Sequence, residues 1–162
     1  MNLKNPKLLA FGVGTLAGAV AMNSTAQKAV ALLPAETVAA GKADWVGGVT
    51  AMAGLVSLVG AYYAPEHPKI VGAIWGISGL LGVVSQGAGV GTVASTLVGG
   101  SLFFGSPELK RAATLGLYGL GGVGIGQSFA VTRAIQTRKA QLQPAPSAPP
   151  IAPSNPDPRV TT

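Results

Sequence analysis

The chain has 162 residues, enough for one domain of ordinary size, and no cysteine, which excludes disulfide frameworks, thiolate metal sites, iron–sulfur clusters and Cys nucleophiles. Charged residues make up 10%, against about 25% in an average soluble domain, while hydrophobic residues, at 48%, are no more than ordinary and glycine fills the gap with 24 residues. A soluble surface needs polar cover that this chain lacks, and the net charge of +6 lies outside the apolar runs, which suits lipid headgroups or topology signals better than nucleic acid.

Lys4 and Lys7 precede a first apolar run, Leu8 to Met22. It is about 15 residues long, short for a span of about 20. Ser24 and Ala26 resemble a small-residue cleavage site, so three readings stay open: a signal peptide, a short or tilted span, and an interfacial or partner-packed helix. Asn23-Ser24-Thr25 matches a glycosylation sequon that no established compartment supports. Ala26 to Ala40 predicts a short amphipathic helix interrupted by Pro34, and Gly41 to Asp44 a loop.

Trp45 to Ala64 carries no charge and is long enough to cross a bilayer. Trp45 at one end, and Tyr62 and Tyr63 at the other, stand where amphipathic rings anchor at headgroup level. Pro65 to Lys69 reads as a tight polar turn. Ile70 to Gly105 is about 36 residues without an ionisable group. A straight helix of that length would measure about 54 Å, well beyond a hydrocarbon core of about 30 Å, so the segment must fold back. Ser85 to Gly91 is its weakest helical stretch, which predicts helices over Ile70–Val84 and Val90–Phe104, either crossing or forming a re-entrant hairpin. Ser106 and Pro107 then signal a helix start, followed by a last apolar run, Ala112 to Thr132. Arg133, Arg138 and Lys139 come next, and seven prolines between Pro144 and Pro158 make an extended tail suited to a protein partner.

The expected fold class is all-α: a polytopic membrane protein with about four membrane helices, in three regions. These are N-terminal apolar and amphipathic helices (1–44), a membrane helical domain (45–132) and a basic, then Pro-rich extended tail (133–162). With the first run not crossing, Lys4, Lys7, Lys28 and Lys42 group with Arg133, Arg138, Lys139 and the more distant Arg159. Lys69, Lys110 and Arg111 lie opposite, so the positive-inside rule places both termini in the cytoplasm. If the first run crosses, the basic residues divide almost evenly and the rule is silent.

The last run holds a full G-x-G-x-x-G at Gly119, Gly121 and Gly124. A dinucleotide turn needs a strand before it and an acid some 20 residues on. Position 144 is proline, and the one acid downstream is Asp157. A membrane reading explains more glycines. Gly14 and Gly18, Gly72 and Gly76, Gly87 and Gly91, and Gly122 and Gly126 are each four apart, so each pair shares a helix face where another backbone can come close. Gly72, Gly76 and Gly79 form one stripe. Gly116, Gly119 and Gly126 share a face of the last helix, with Gly121 and Gly124 on another, so that helix is expected between two neighbours.

The catalytic inventory is thin. His67 is the one histidine and sits in a turn; the five acids all lie outside the apolar runs and form no acid/base pair or metal cluster. No Asp, Glu, Lys or Arg is placed inside the long runs, which disfavours ion-coupled transport. The chain is therefore expected to be no enzyme, to need no cofactor or metal, and to bind lipid, other membrane subunits and, through its tail, a protein partner. Two roles fit: a structural or assembly subunit of a membrane complex or lipid-containing virion, or a passive pore or holin-like hole-former. A soluble glycine-rich chain whose helices are covered by partners is a third.

Overall fold

A computed structural model of the chain describes residues 5–87 and 89–143. Among these, all regular structure is helical: α1 (Pro6–Ala21), α2 (Asn23–Ala31), α3 (Ala35–Ala39), α4 (Trp45–Tyr63), α5 (Pro68–Gln86), α6 (Val90–Phe104) and α7 (Pro107–Leu142). The Pro-rich part of the tail, 144–162, lies outside the described residues.

Local chemistry sets the boundaries. The Asn5 side chain accepts from the Lys7 backbone N–H at 3.0 Å, and Pro6 occupies the first position of α1, where no N–H is needed. The Asn-Ser-Thr sequence after Met22 competes with helical bonding, and α1 and α2 meet there at a bend of 44°. Pro34 separates α2 from α3. The predicted fold-back falls where expected: α5 ends at Gly87, whose φ of +88° favours glycine, and α6 starts at Gly89, whose N–H donates to Thr92 Oγ1 at 3.0 Å.

α7 is the spine. α1 lies along it in parallel, with Gly14 beside Gly119 and Gly18 beside Val123. α4 lies along it antiparallel: Gly47 meets Thr132 and Gly54 meets Gly121 and Gly124. α5 and α6 form an antiparallel hairpin, with Gly72 against Phe103 and Gly79 against Thr96. It joins the rest at its base, where Ala61, Val71, Leu102, Ala113 and Leu117 make a buried side-chain cluster. A second cluster closes the opposite end, where Ala26 and Val30 of α2 and Ala43 pack on Ala130, Ala134 and Ile135. Both ends of the bundle are thus held by side chains and its middle by backbone against backbone.

Two expectations change. The boundary at residue 132 falls inside a helix: α7 continues to Leu142, because α2 and the loop before α4 provide partners for its basic extension. The charge grouping also changes. Lys7 lies with Lys110 and Arg111 at one end of the bundle, whereas Lys139 lies at the other, paired with Asp44. The cause is the parallel course of α1 along α7, which the glycine contacts impose.

α4 and α5 are each long and apolar enough to cross a membrane, and the bent pair α1–α2 makes a third if it acts as one span. α6, at 15 residues, is shorter. α7 has ample length, but six glycines and charged flanks dilute its hydropathy.

Candidate functional site: the glycine contacts of the spine helix

On α4 the buried residues are Gly47, Gly54, Ser57 and Ala61, all small, while Val49, Met52, Val56 and Val59 point outward and are exposed. A soluble helix buries its large residues; here they face out and the small ones face in. The 19 residues of α4 rise about 28 Å, close to the hydrocarbon thickness of about 30 Å. Trp45 stands exposed at one end of this helix, and Tyr62 and Tyr63, packed edge to face, at the other.

The glycines of α7 divide between three neighbours. A Cβ on Gly122 or Gly126 would overlap the α1 backbone, at the Phe11 and Thr15 carbonyls respectively. A Cβ on Gly124 would lie 2.6 Å from the Gly54 Cα, and one on Gly121 would lie 2.6 Å from Leu58 Cδ2. Gly116 faces neither α1 nor α4: its nearest neighbour is Val98 of α6, at 3.3 Å from a built Cβ. Gly119 has only ordinary contact on its own Cβ side, but its carbonyl oxygen abuts Gly14. The face expected to hold Gly116, Gly119 and Gly126 is therefore an arc that runs from α6 round to α1.

In the hairpin, Gly72 is tightly held, 2.7 Å from the Phe103 nitrogen to a built Cβ, and Gly79 meets the Thr96 backbone at 2.5 Å. Gly76 has room for a Cβ at 3.8 Å; the tight partner there is Gly99, which sits against the Gly76 backbone. The Gly87–Gly91 pair does not pack on a helix, since neither residue has an atom within 4 Å of a built Cβ. Sequence reasoning left out Gly54 and Gly99 as packing residues. The signal for Gly54 was present: Gly47, Gly54 and Ala61 recur every seven residues, a period that returns to one helix face.

The glycines of the G-x-G-x-x-G lie mid-helix, with α1 and α4 against them, and among the described residues no strand precedes them. A phosphate cradle needs backbone N–H groups free at a helix start; these are engaged within α7.

Polar groups in the bundle are satisfied locally. Thr15, Thr50 and Ser57 each donate to the carbonyl four residues earlier. Ser128 of α7 instead reaches across to the Gly47 carbonyl of α4 at 2.7 Å. Arg138 donates to the Val30 carbonyl, where a cation also meets the negative end of α2. Lys139 pairs with Asp44 at 2.6 Å. Among the described residues no buried side-chain polar atom lacks a partner, and no three His, Cys, Asp or Glu side chains converge.

The class these features define is an all-helical protein with two to three helices long and apolar enough to span a membrane. No family model, no curated protein and no solved structure matches the chain.

Proposed function

We propose that the chain is a non-catalytic integral membrane protein that serves as a structural subunit of a larger membrane assembly. The observation that carries this reading is the inverted packing of α4: small residues inside, large apolar residues outside. Water would penalise that surface, since contiguous exposed apolar patches beyond a few hundred Å² are rare on soluble monomers. Lipid or neighbouring helices would not. The α5–α6 hairpin adds to it. α4 and α5 follow each other in the chain, yet they touch mainly around Gly60, Val71 and Trp75. The hairpin therefore offers Ile77, Leu80, Leu81 and Val84 to its surroundings. α7, wrapped by α1, α4 and α6, crosses as the sheltered centre, where glycine dilution costs little because few of its side chains meet lipid.

On this reading α1–α2 is one bent crossing, so Asn5 and Gln143 lie on opposite sides of the bilayer. Lys7, Lys69, Lys110 and Arg111 then stand at one face, and Lys28, Lys42, Arg133, Arg138 and Lys139 at the other. The two counts are nearly equal, so the positive-inside rule sets no orientation. Both termini would be cytoplasmic only if α1 stopped short of the far leaflet. The tail beyond Gln143 is assigned to a protein partner.

Alkaline carbonate washing of membranes tests the reading: the protein stays in the pellet, and its release would overturn membrane integration. Purification in mild detergent, with and without residues 144–162, then shows whether a larger assembly comes along and whether the tail holds it. A lone monomer from both forms would overturn the subunit role. Loss of membrane potential on induced expression would replace it with the passive pore.

A further inference from the structure

At the end of the bundle where α1, α5 and α7 all begin, a cavity of about 490 Å³ opens between them. Pro6, Pro68 and Pro107, the first residues of the three helices, line it together with Lys7, Lys110 and Arg111. Three basic residues thus line one opening. Lys7 Nζ stands 5.6 Å from the centre of the Tyr118 ring. The one ion pair among the described residues is Lys139–Asp44, at the far end, so neither Glu66 nor Glu108 forms a contact pair with any of the three. Tyr62 and Tyr63 close α4 at this same end, which marks it as the headgroup level of the bilayer in the reading above. Three helices begin at this end and two, α4 and α6, finish here, so the helix dipoles oppose one another and the potential rests on the side-chain cations. The walls between the cations are apolar, with Ala64 and Leu115 among them.

We propose that this cavity binds the phosphate of an anionic phospholipid, whose acyl chains lie along the outer surface of the bundle. Lys7, Lys110 and Arg111 supply the charge, and Arg111 the planar fork suited to phosphate oxygens. Basic pockets between membrane helices at one face of a bilayer are the general setting for such recognition. The inference rests on membrane integration, since a headgroup is within reach only there.

The test uses the full chain purified in mild detergent, exposed to phosphatidylglycerol or phosphatidylcholine, with retained lipid counted by native mass spectrometry. Phosphatidylglycerol should be retained about tenfold more than phosphatidylcholine, and the double substitution Lys110→Gln/Arg111→Gln should abolish the difference. Lys28→Gln/Lys42→Gln removes the same charge at the opposite end and should preserve it. Equal retention of the two lipids by the unsubstituted chain overturns the proposal, whether or not the variants fold. So does an equal loss in both double variants. Displacement of phosphatidylglycerol by inorganic phosphate at matching concentration overturns the lipid as the source of the phosphate. A chain that needs no detergent and washes off membranes defeats membrane integration instead, a result distinct from a membrane-embedded chain without lipid preference.

Discussion

Gly54 of α4 and Gly124 of α7 meet so closely that a Cβ on Gly124 would stand 2.6 Å from the Gly54 Cα. Nothing but hydrogen fits between the two backbones. α4 therefore lies against α7 at main-chain distance, and Ser128, one turn before Thr132 in α7, comes near enough to bond the Gly47 carbonyl on the same seam.

Gly54→Ala should accordingly destabilise the bundle by about 1–3 kcal/mol, the usual range for overpacking. Gly48 lies on the same helix with nothing within 4 Å of a built Cβ. Gly48→Ala should be neutral or stabilising by up to about 1 kcal/mol, because alanine is the better helix former. Thermal unfolding of the two variants in detergent measures the contrast; equal effects would mean that α4 does not pack on α7 through Gly54.

Gly99→Leu should act locally. Gly99 sits against the backbone of Gly76 in the hairpin, and the hairpin meets the spine only at its base. Hydrogen exchange should accelerate over α5 and α6 while α7 keeps its protection. Uniform loss of protection would show that the hairpin and the spine form one cooperative unit.

Ser128→Ala removes the α7–α4 hydrogen bond at 2.7 Å. The Gly47 carbonyl keeps its place in the α4 helix, so no acceptor is orphaned. The expected cost is about 0.6 kcal/mol, the average for interhelical bonds in membranes. A loss of several kcal/mol in the same unfolding assay would give this serine a larger role than one bond.

The Lys139–Asp44 pair is partly exposed, with Asp44 at 46%. Lys139→Ala should cost no more than about 1 kcal/mol, and the difference should shrink as salt is raised. A large, salt-insensitive loss would show that the pair fixes the start of α4.

Glu108 titrates below the ordinary carboxylate value of 4.5, because its own backbone N–H and then the Ser106 hydroxyl bond the ionised form. A depressed folded value stabilises the fold above the ordinary value, and that contribution is lost as pH falls through the lowered one. Ser106→Ala should move the Glu108 titration upward, as followed by carboxyl NMR shifts, and should loosen the start of α7, where Ser106 accepts from the Leu109 N–H at 3.4 Å. An unmoved titration would leave the backbone bond as the whole cause.

Much of this was legible residue by residue. The Pro65–Lys69 turn, the Ser85–Gly91 break and the Ser106–Pro107 start are local signals, because caps and breaks depend on neighbours a few positions away. That the α7 glycines lie on more than one side of the helix also followed from helical period alone. Its partners did not. Gly14, Gly54, Gly72 and Gly122 look alike in sequence, since a missing side chain says that something comes close and nothing about what. Gly116 shows the limit: its position on the helix is set by period, yet it turned out to face α6 rather than α1.

The sequence by itself determined the helices from Trp45 onward, apart from the end of the last one, together with the uncharged runs and the absence of cysteine chemistry, all of which rest on short-range propensity and composition. Only the tertiary structure decided that α1 runs parallel to α7, and with it that Lys7 joins Lys110 and Arg111 around one cavity rather than grouping with Lys139. The physical reason is that glycine contacts work over a few ångströms between backbones distant in the chain, so pairing and direction emerge only when the helices are packed together.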